Sequence, residues 1–544
     1  SVNLAIGFEA YNSSDTESNN FAIGYQAMTT NTAGGSENMA IGHYALDALT
    51  SGDNNVAVGM NAGGQITAAG QNVYVGNSAA SGASVAGDYV TIVGYHAGVL
   101  NQVDSTVALG AYAAAANTTG ANITAIGRNC LDANTTGSSN TAVGAGSLGA
   151  NTTGSRNIAF GGAALDGCDT EDDNMAIGYA AMTTNNAGGT GNIAIGNYAG
   201  DAITSGDYNT VIGLQAGGAL TSGGRNIAIG ADALLVATTG GDNIGIGTNA
   251  LRAHTTGANN VALGTNALED NTSGHENTGL GRYALKSTTT AQENTGVGNA
   301  AAEGLTTGGY NTAIGSSAME KSTTATYNVA VGVSALKANV THVSNTACGV
   351  EASFKSLSDE NTHIGRRAGY NVTSGRRNTA VGAYADNTLT TGEDNTAIGY
   401  GAGHSAVNVN NEFTLGDSSV SNLRCNDTSL GGLSDQRDKA NIQDLPASAG
   451  LALINALRPV TFNWDRREWY DNNTPDGSKI ELNYDNAKAN SGLKQGFLAQ
   501  EVATAISGIK ALEDEKLISN INPDKLEFSP GKLVTNLIKA VQEL

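Results

Sequence analysis

Apolar and small residues recur along most of this chain with a long, fixed period. In "NTAIGSSAMEKSTTATY" (311–327) and the next unit, "NVAVGVSALKANVTHVS" (328–344), an apolar-flanked triplet precedes a Gly and polar turn residues fill the rest. Aligned on that Gly, 25 units run from Gly7 to Gly416 at intervals of 16, 17 or 18 residues. The consensus is N-T-A-I-G-x-x-A-L-x-x-x-T-T-G-x-x. The residue before the Gly is apolar in every unit, as at Ile6, Val58, Phe160, Ile314 and Leu415. Three residues after the Gly, 22 of the 25 units have Ala; four residues before it, 21 have Asn. No 3.6-residue period persists, and Gly and β-branched residues are too frequent for helices. No Pro interrupts the pattern before Pro446, as unbroken strand ladders require.

This periodicity predicts a mainly β solenoid in which each unit is one coil and like residues stack on like. The apolar column before the Gly is expected to fill the interior, with Ala keeping the coil narrow. The Asn column is expected to pass amide hydrogen bonds from coil to coil. The A-I-G and T-T-G glycines are expected to supply turn geometries closed to other residues. At about 4.8 Å per coil the rod would be roughly 120 Å long. A single chain looks too thin: Ala and Gly bury little area against roughly 1–2 kcal/mol of backbone entropy per residue. Both faces of the A-I-G strand are apolar or small. One face is expected inside the coil and the other against a partner chain, so an oligomer is expected.

Composition sharpens this picture. The 544 residues include 73 Gly, with 5% aromatic and 14% charged residues. Net charge is −22, of which −19 falls before Ser434, where 14 basic residues face 33 acidic ones. So few cations argue against nucleic acid. No stretch is long and apolar enough to span a membrane. Cys130, Cys168, Cys348 and Cys425 fit no zinc or disulfide pattern. Cys130 falls in the Ala column and Cys348 in the apolar column, so both read as small core residues. Scattered His and Tyr read as loop decoration, and the acidic "DGCDTEDDN" (166–174) as a solvated loop. No phosphate loop, cofactor site or metal site is expected. Ser1 falls inside a repeat, so the sequence is expected to lack a native N-terminal region.

The pattern breaks at "GGLSDQRDKANI" (431–442), after which come all five prolines and both tryptophans. The expected organisation is a rod over 1–416, a linker over 417–433 and a mixed α+β domain over 434–544. "ASAGLALINALRP" (447–459) has helical spacing and stops at Pro459; "PVTFNWD" (459–465) reads as a strand and "GFLAQEVATAI" (496–506) as strand into helix. "SPGKLVTNLIKAVQEL" (529–544) has a Ser cap, a first-turn Pro and a seam of Val534, Leu537, Val541 and Leu544, predicting a coiled-coil helix.

The N-x-A-I-G-x-x-A unit resembles the head repeats of trimeric autotransporter adhesins and related repeats in phage tail fibres. The resemblance implies a left-handed parallel β-roll packed as a trimer. The adhesin unit is commonly shorter, and the extra residues here are expected to lengthen the T-T-G loop. Residues 434–544 resemble the C-terminal intramolecular chaperone of endosialidase-type tail spikes and fibres. The residues that carry this are Ser434, Asp435, Arg437, Lys439, Asn441 and Ile442, "LRPVTFNW" (457–464), "GFLAQEV" (496–502, with Gln500 and Glu501) and the terminal helix. Pro, common after the G-F-x-A-Q-E-V run in that family, is absent from "ATAISG". The resemblance implies trimerisation, templating of the preceding β-fibre, and self-cleavage between Leu433 and Ser434 with Ser434 as nucleophile and Lys439 as base. All seven histidines precede Ser434, so no His of that module serves as the base. Lys439 is the nearest lysine after Ser434 and would serve if desolvation lowers its pKa.

The reading is a homotrimeric distal tail fibre, located on a virion and extracellular. It would bind a host cell-surface receptor, contact other tail proteins, and carry a serine-peptidase-type chaperone that acts once on its own chain. Alternatives are a bacterial trimeric adhesin on the cell surface, an injection-system fibre, and a polysaccharide-degrading tail spike. The last needs paired carboxylates in a cleft, whereas acidic residues here occupy varying loop positions.

Overall fold

The computed structural model describes residues 2–420 except 14–16, 32–33, 83–86 and 186–187, and in the C-terminal segment residues 450–462, 494–507, 518–519, 527–528 and 533–544. The chain divides into two compact units, Ser1–Gly403 with Asn410–Asp417, and His404–Val409 with Ser418–Leu544.

The first unit is a parallel β-solenoid. Twenty-five three-residue strands, from β1 (Leu4–Ile6) to β25 (Phe413–Leu415), pair each with the next in parallel and in register. Asn, Gly and the A-I-G triplet stack on their own kind: Ala159 pairs with Ala142 on one side and Ala176 on the other. Hydrogen bonding is not confined to the strands. In one representative coil, Asn249 N donates to Ala231 O at 3.0 Å, Leu251 N to Ala267 O at 3.0 Å, and Thr255 N to Thr272 O at 2.8 Å. Every side of the coil is therefore a ladder, which satisfies backbone groups that a thin rod would otherwise expose.

The strand faces are the reverse of the expectation. The middle residue of each triplet points inward, as with Ala159, Ala228 and Ala313, while the residue before the Gly faces outward. Alternation along a strand allows only one of the two faces inside. The interior is filled instead by the residue four after the Gly, Leu in Leu46, Leu131, Leu234 and Leu268, and Met in Met28 and Met182. These residues hold left-handed backbone, with φ of 51° at Leu131 and Leu234. So do the residues two after and five before the Gly, such as Asn249 at 57° and Asn259 at 60°. Each non-glycine in this region costs roughly 1–2 kcal/mol, offset here by the coil-to-coil hydrogen bond its own N–H makes.

The two kinds of glycine have different causes. The A-I-G glycines sit at φ near 140°, as at Gly144 (138°), and a Cβ on Gly144 would lie 2.3 Å from Gly161 O in the next coil. The T-T-G glycines do not hold that conformation; Gly257 is buried and a Cβ there would meet Gly274 O at 2.1 Å. Close approach of stacked backbones, rather than turn geometry, requires glycine there. The T-T-G segment is also not an extended loop but a laddered side, with Thr255 Oγ1 adding a bond to Thr272 O at 2.8 Å.

Inside the coil, the middle strand residue and the residue four after the Gly compete for one volume. Where the strand residue is large, the fourth positions beside it in its own and the preceding coil are small. Gly98 lies under Ile92, Gly217 under Val211 and Gly369 under His363, and a Cβ on Gly63 would meet Tyr74 Cδ2 at 3.1 Å. Where the strand residue is Gly, as at Gly245, Gly279 and Gly296, a leucine fills in: Leu234, Leu268 and Leu285. His254, His363 and Tyr74 are thus core residues, not loop decoration. The continuous aliphatic core runs from Ala22 to Ala352; beyond it lies a small cluster of Ala368, Ala380 and Ala385.

Two asparagine ladders run through the interior. In the column four before the Gly, Asn260 Nδ2 donates to Asn243 Oδ1 at 3.1 Å and to Gly274 O at 2.8 Å, while its Oδ1 accepts from Asn277 N at 3.1 Å. The column is interrupted at Val90, Thr106 and Ile123. There a second column takes over: Asn117 Nδ2 donates to Asn101 Oδ1 at 2.7 Å, Asn134 to Asn117 at 2.8 Å and Asn151 to Asn134 at 2.7 Å.

In the second unit, α1 (Leu451–Ala456), β26 (Val460–Phe462), β27 (Lys494–Gly496), α2 (Ala499–Ile506), β28 (Ile518–Ser519), β29 (Glu527–Phe528) and α3 (Val534–Glu543) are described. β26 pairs antiparallel with β27, and β28 with β29. Leu453, Leu457, Val502, Ile506 and Leu533 form its core.

Candidate functional site

Two surfaces stand out. The first is the outward face of the solenoid strands. The residue before each Gly lines it as an apolar column, with Leu109, Ile126, Phe160, Leu263, Leu280, Ile314, Ile364 and Ile398 all exposed. Val and Met residues such as Met39, Val73 and Val329 add a second column two positions earlier. An exposed apolar strip along an otherwise polar rod marks an interaction face. Cys348 stands in this column and is exposed, which corrects the expectation of a core thiol; Cys130 and Cys168 are buried, and burial raises the Cys130 thiol to about 12.

The acidic loop at 166–174 is not simply solvated. Glu171 is buried and its carboxylate accepts the N–H groups of Asp169 at 2.8 Å, Thr170 at 2.9 Å and Gly188 at 3.0 Å. Asp172 and Asp173 hold Arg156 of the preceding coil. Among the described residues no group of His, Cys, Asp or Glu is arranged to hold a metal, and no helix is long and apolar enough to cross a membrane.

The second surface belongs to the C-terminal unit. Of the residues singled out from sequence, Leu433, Ser434, Asp435, Arg437 and Lys439 lie outside the described residues, as do Ser529 and Pro530. Gln500 and Glu501 lie in the first turn of α2. The Glu501 carboxylate takes Arg458 through both oxygens, with Nε to Oε2 at 3.1 Å and Nη2 to Oε1. That guanidinium holds the Glu501 carboxyl below its ordinary range. The L-R-P and Q-E-V segments are thereby tied together by one bidentate pair, a role for Arg458 that sequence reading did not assign. α3 packs one stripe, Asn536 and Ala540 with Leu533 just before the helix, into its own unit. Leu451 N donates to Glu543 Oε2 at 2.8 Å, joining the ends of α1 and α3. The other stripe, Val534, Leu537, Ile538 and Val541, is exposed, with Val541 at 63%. Beside it an apolar groove of about 290 Å³ is lined by Ile454, Leu457, Pro459, Phe497, Leu533, Val534 and Leu537.

Residues 434–509 match the family model described as chaperone of endosialidase. No curated protein sequence matches the chain. The matched segment begins at Ser434, the residue at which the repeat pattern has already given way. A long parallel β-solenoid followed by a segment similar to the chaperone of endosialidase fits a fibre- or spike-type protein with a C-terminal intramolecular chaperone.

Proposed function

We propose that the chain is the distal part of a homotrimeric tail fibre that attaches to a host cell surface. On this reading the solenoid is the shaft, and residues 434–544 assemble three chains, set their register and then leave. The observation that carries it is the chaperone match beginning at Ser434 directly behind a repetitive parallel rod. Such a rod needs that help: a slip by one whole coil keeps every side chain on its proper face, and non-local parallel pairing is slow. The outward apolar column and the exposed stripe of α3 are the surfaces that three chains would bury against one another. Joining three chains at one end raises their effective concentration along the shaft.

Release follows from chemistry assigned by resemblance. Ser434 Oγ attacks the Leu433 carbonyl carbon, Lys439 takes the hydroxyl proton, and that proton passes to the departing nitrogen. The peptide bond before Ser434 breaks, and water hydrolyses the resulting ester. Cleavage is a single turnover on the chain's own bond. Loss of the assembler makes the fibre hard to reverse. A bacterial adhesin or injection-system fibre built from the same parts is the second reading, favoured by the likeness of the repeat to adhesin heads.

The test is denaturing gel mobility of the expressed chain, wild type against Ser434→Ala. Conversion of the wild type to a product about 110 residues shorter, with Ser434→Ala remaining full length, is expected. Identical full-length bands would refute self-cleavage.

A further inference from the structure

The acidic rod carries one local exception. Five of the fourteen basic residues before Ser434 fall between Lys355 and Arg377. Three of them, Lys355, Arg366 and Arg367, lie on the side of the coil formed by the six residues after each Gly. In the earlier coils carboxyls outnumber cations on this side. Its fifth position holds Asp47, Asp132, Asp201 and the ion pairs Glu269–Lys286 at 3.7 Å and Glu320–Lys337 at 2.8 Å. Over residues 350–355, 366–371, 383–388 and 400–405 the same side holds those three cations and two carboxyls, of which Asp386 is buried. Glu351 is engaged by Arg367 at 2.5 Å. The side is thus locally cationic.

Aromatic rings occupy the same surface. Phe354 and Tyr370 stack at 5.1 Å, with Lys355 Nζ and the Arg367 guanidinium each 5.2 Å from the Tyr370 ring centre. One coil on, Arg366 lies 5.4 Å from the centre of Tyr384. Tyr400 stands at 72° to Tyr384 with centroids 5.8 Å apart and is 68% exposed. The two phenol rings meet edge to face, with the Arg366 guanidinium over Tyr384 and the Tyr400 ring largely exposed. A flat apolar ring face, phenol hydroxyls and a planar cation are complementary to a sugar ring that bears a carboxylate.

We infer that the exposed cluster of Tyr384, Tyr400 and Arg366, extended by Tyr370, Lys355 and Arg367, binds an acidic saccharide. The sugar's C–H face lies on Tyr400 and its carboxylate pairs with Arg366. This deepens the attachment reading by naming a ligand class and a place for it; it needs neither the cleavage nor the trimer.

The test uses the full-length chain in isothermal titration with oligogalacturonate, a neutral galacto-oligosaccharide of equal length, and polyglutamate. Oligogalacturonate alone is expected to bind, more weakly as salt rises. Arg366→Ala and Tyr400→Ala are each expected to lower affinity about tenfold, while Tyr112→Ala, in an aromatic pair elsewhere on the rod, leaves it unchanged. Circular dichroism of each variant shows that the rod is intact. Equal binding of polyglutamate, or binding indifferent to Tyr400→Ala, would mean a charge patch only and overturn the proposal. Failure of oligogalacturonate to bind would also overturn it. Binding of the neutral sugar, retained in every variant, would remove this site while leaving attachment standing.

Discussion

His363 and Gly369 share one coil, and the imidazole fills the space that a side chain at 369 would enter: a Cβ there would lie 2.2 Å from Nδ1. Other coils place Leu at that position with the same left-handed backbone, as at Leu251 with φ of 53°. Volume, not conformation, is what forbids it. Gly369→Leu is therefore expected to destabilise the rod by roughly 1–3 kcal/mol through overpacking. His363→Ala combined with Gly369→Leu restores the commoner pairing and should recover most of the loss. Thermal melts of the two singles and the double measure the coupling; additive losses would contradict the shared volume.

The interior of the last coils also predicts opposed pH responses. Burial lowers the His363 pKa from 6.5 to about 4. Between those values the unfolded chain binds a proton that the folded chain refuses, so stability falls as pH drops through the window, by up to about 3 kcal/mol. Burial first, then the Glu412 charge, raises Asp386 from 3.8 to about 8. There the folded chain holds the extra proton, so its contribution is complete below the unfolded value and is lost as pH rises through 8. His363→Ala is expected to lessen the acid fall, to which buried His254 also contributes, and Asp386→Leu to raise the melting temperature most at pH 8. Melts at pH 4, 6 and 8 check both signs.

The A-I-G glycines are expected to be intolerant of any side chain. At Gly213 (φ 136°) a Cβ would lie 2.5 Å from Gly230 O, a backbone atom that cannot rotate away. Gly213→Ala combines strain with a clash between coils, each worth roughly 1–3 kcal/mol. Loss of ordered β signal in circular dichroism, or a sharply lower melting temperature, is expected; a melt like the wild type's would contradict the coil spacing.

Asn260 carries the amide ladder across three coils. Asn260→Ala strands the N–H of Asn277 and the carbonyl of Gly274, which both lie inside. A loss of roughly 2–3 kcal/mol is expected. Hydrogen exchange should localise it to the coils around 243–277. Thr265→Ala, at an exposed position of the same coil, is the control.

Much of this architecture is legible in the sequence because the repeat is itself the structure: Gly7 to Gly416 give the coils, and the Asn column gives its ladder. The direction of the strand face was not. Ile314 and Ala313 alternate, and period alone does not say which faces in; the answer lies in Leu at the fourth position after the Gly, whose left-handed backbone no propensity announces. His363 reads as decoration until Gly369 is seen beneath it. In the C-terminal unit the α1, β26, β27 and α2 segments follow the apolar spacing closely. Arg458 stayed unmarked because its partner Glu501 is 43 residues away.

Three chains sharing the outward apolar column is the claim on which the proposed fibre depends. The most direct test is the mass in solution of the Ser434→Ala chain, measured by sedimentation equilibrium. A single particle of three times the 54.8 kDa chain, dispersed when outward residues such as Ile314 and Ile364 are changed to Lys, is the predicted result. A folded, stable particle of one chain's mass would contradict it.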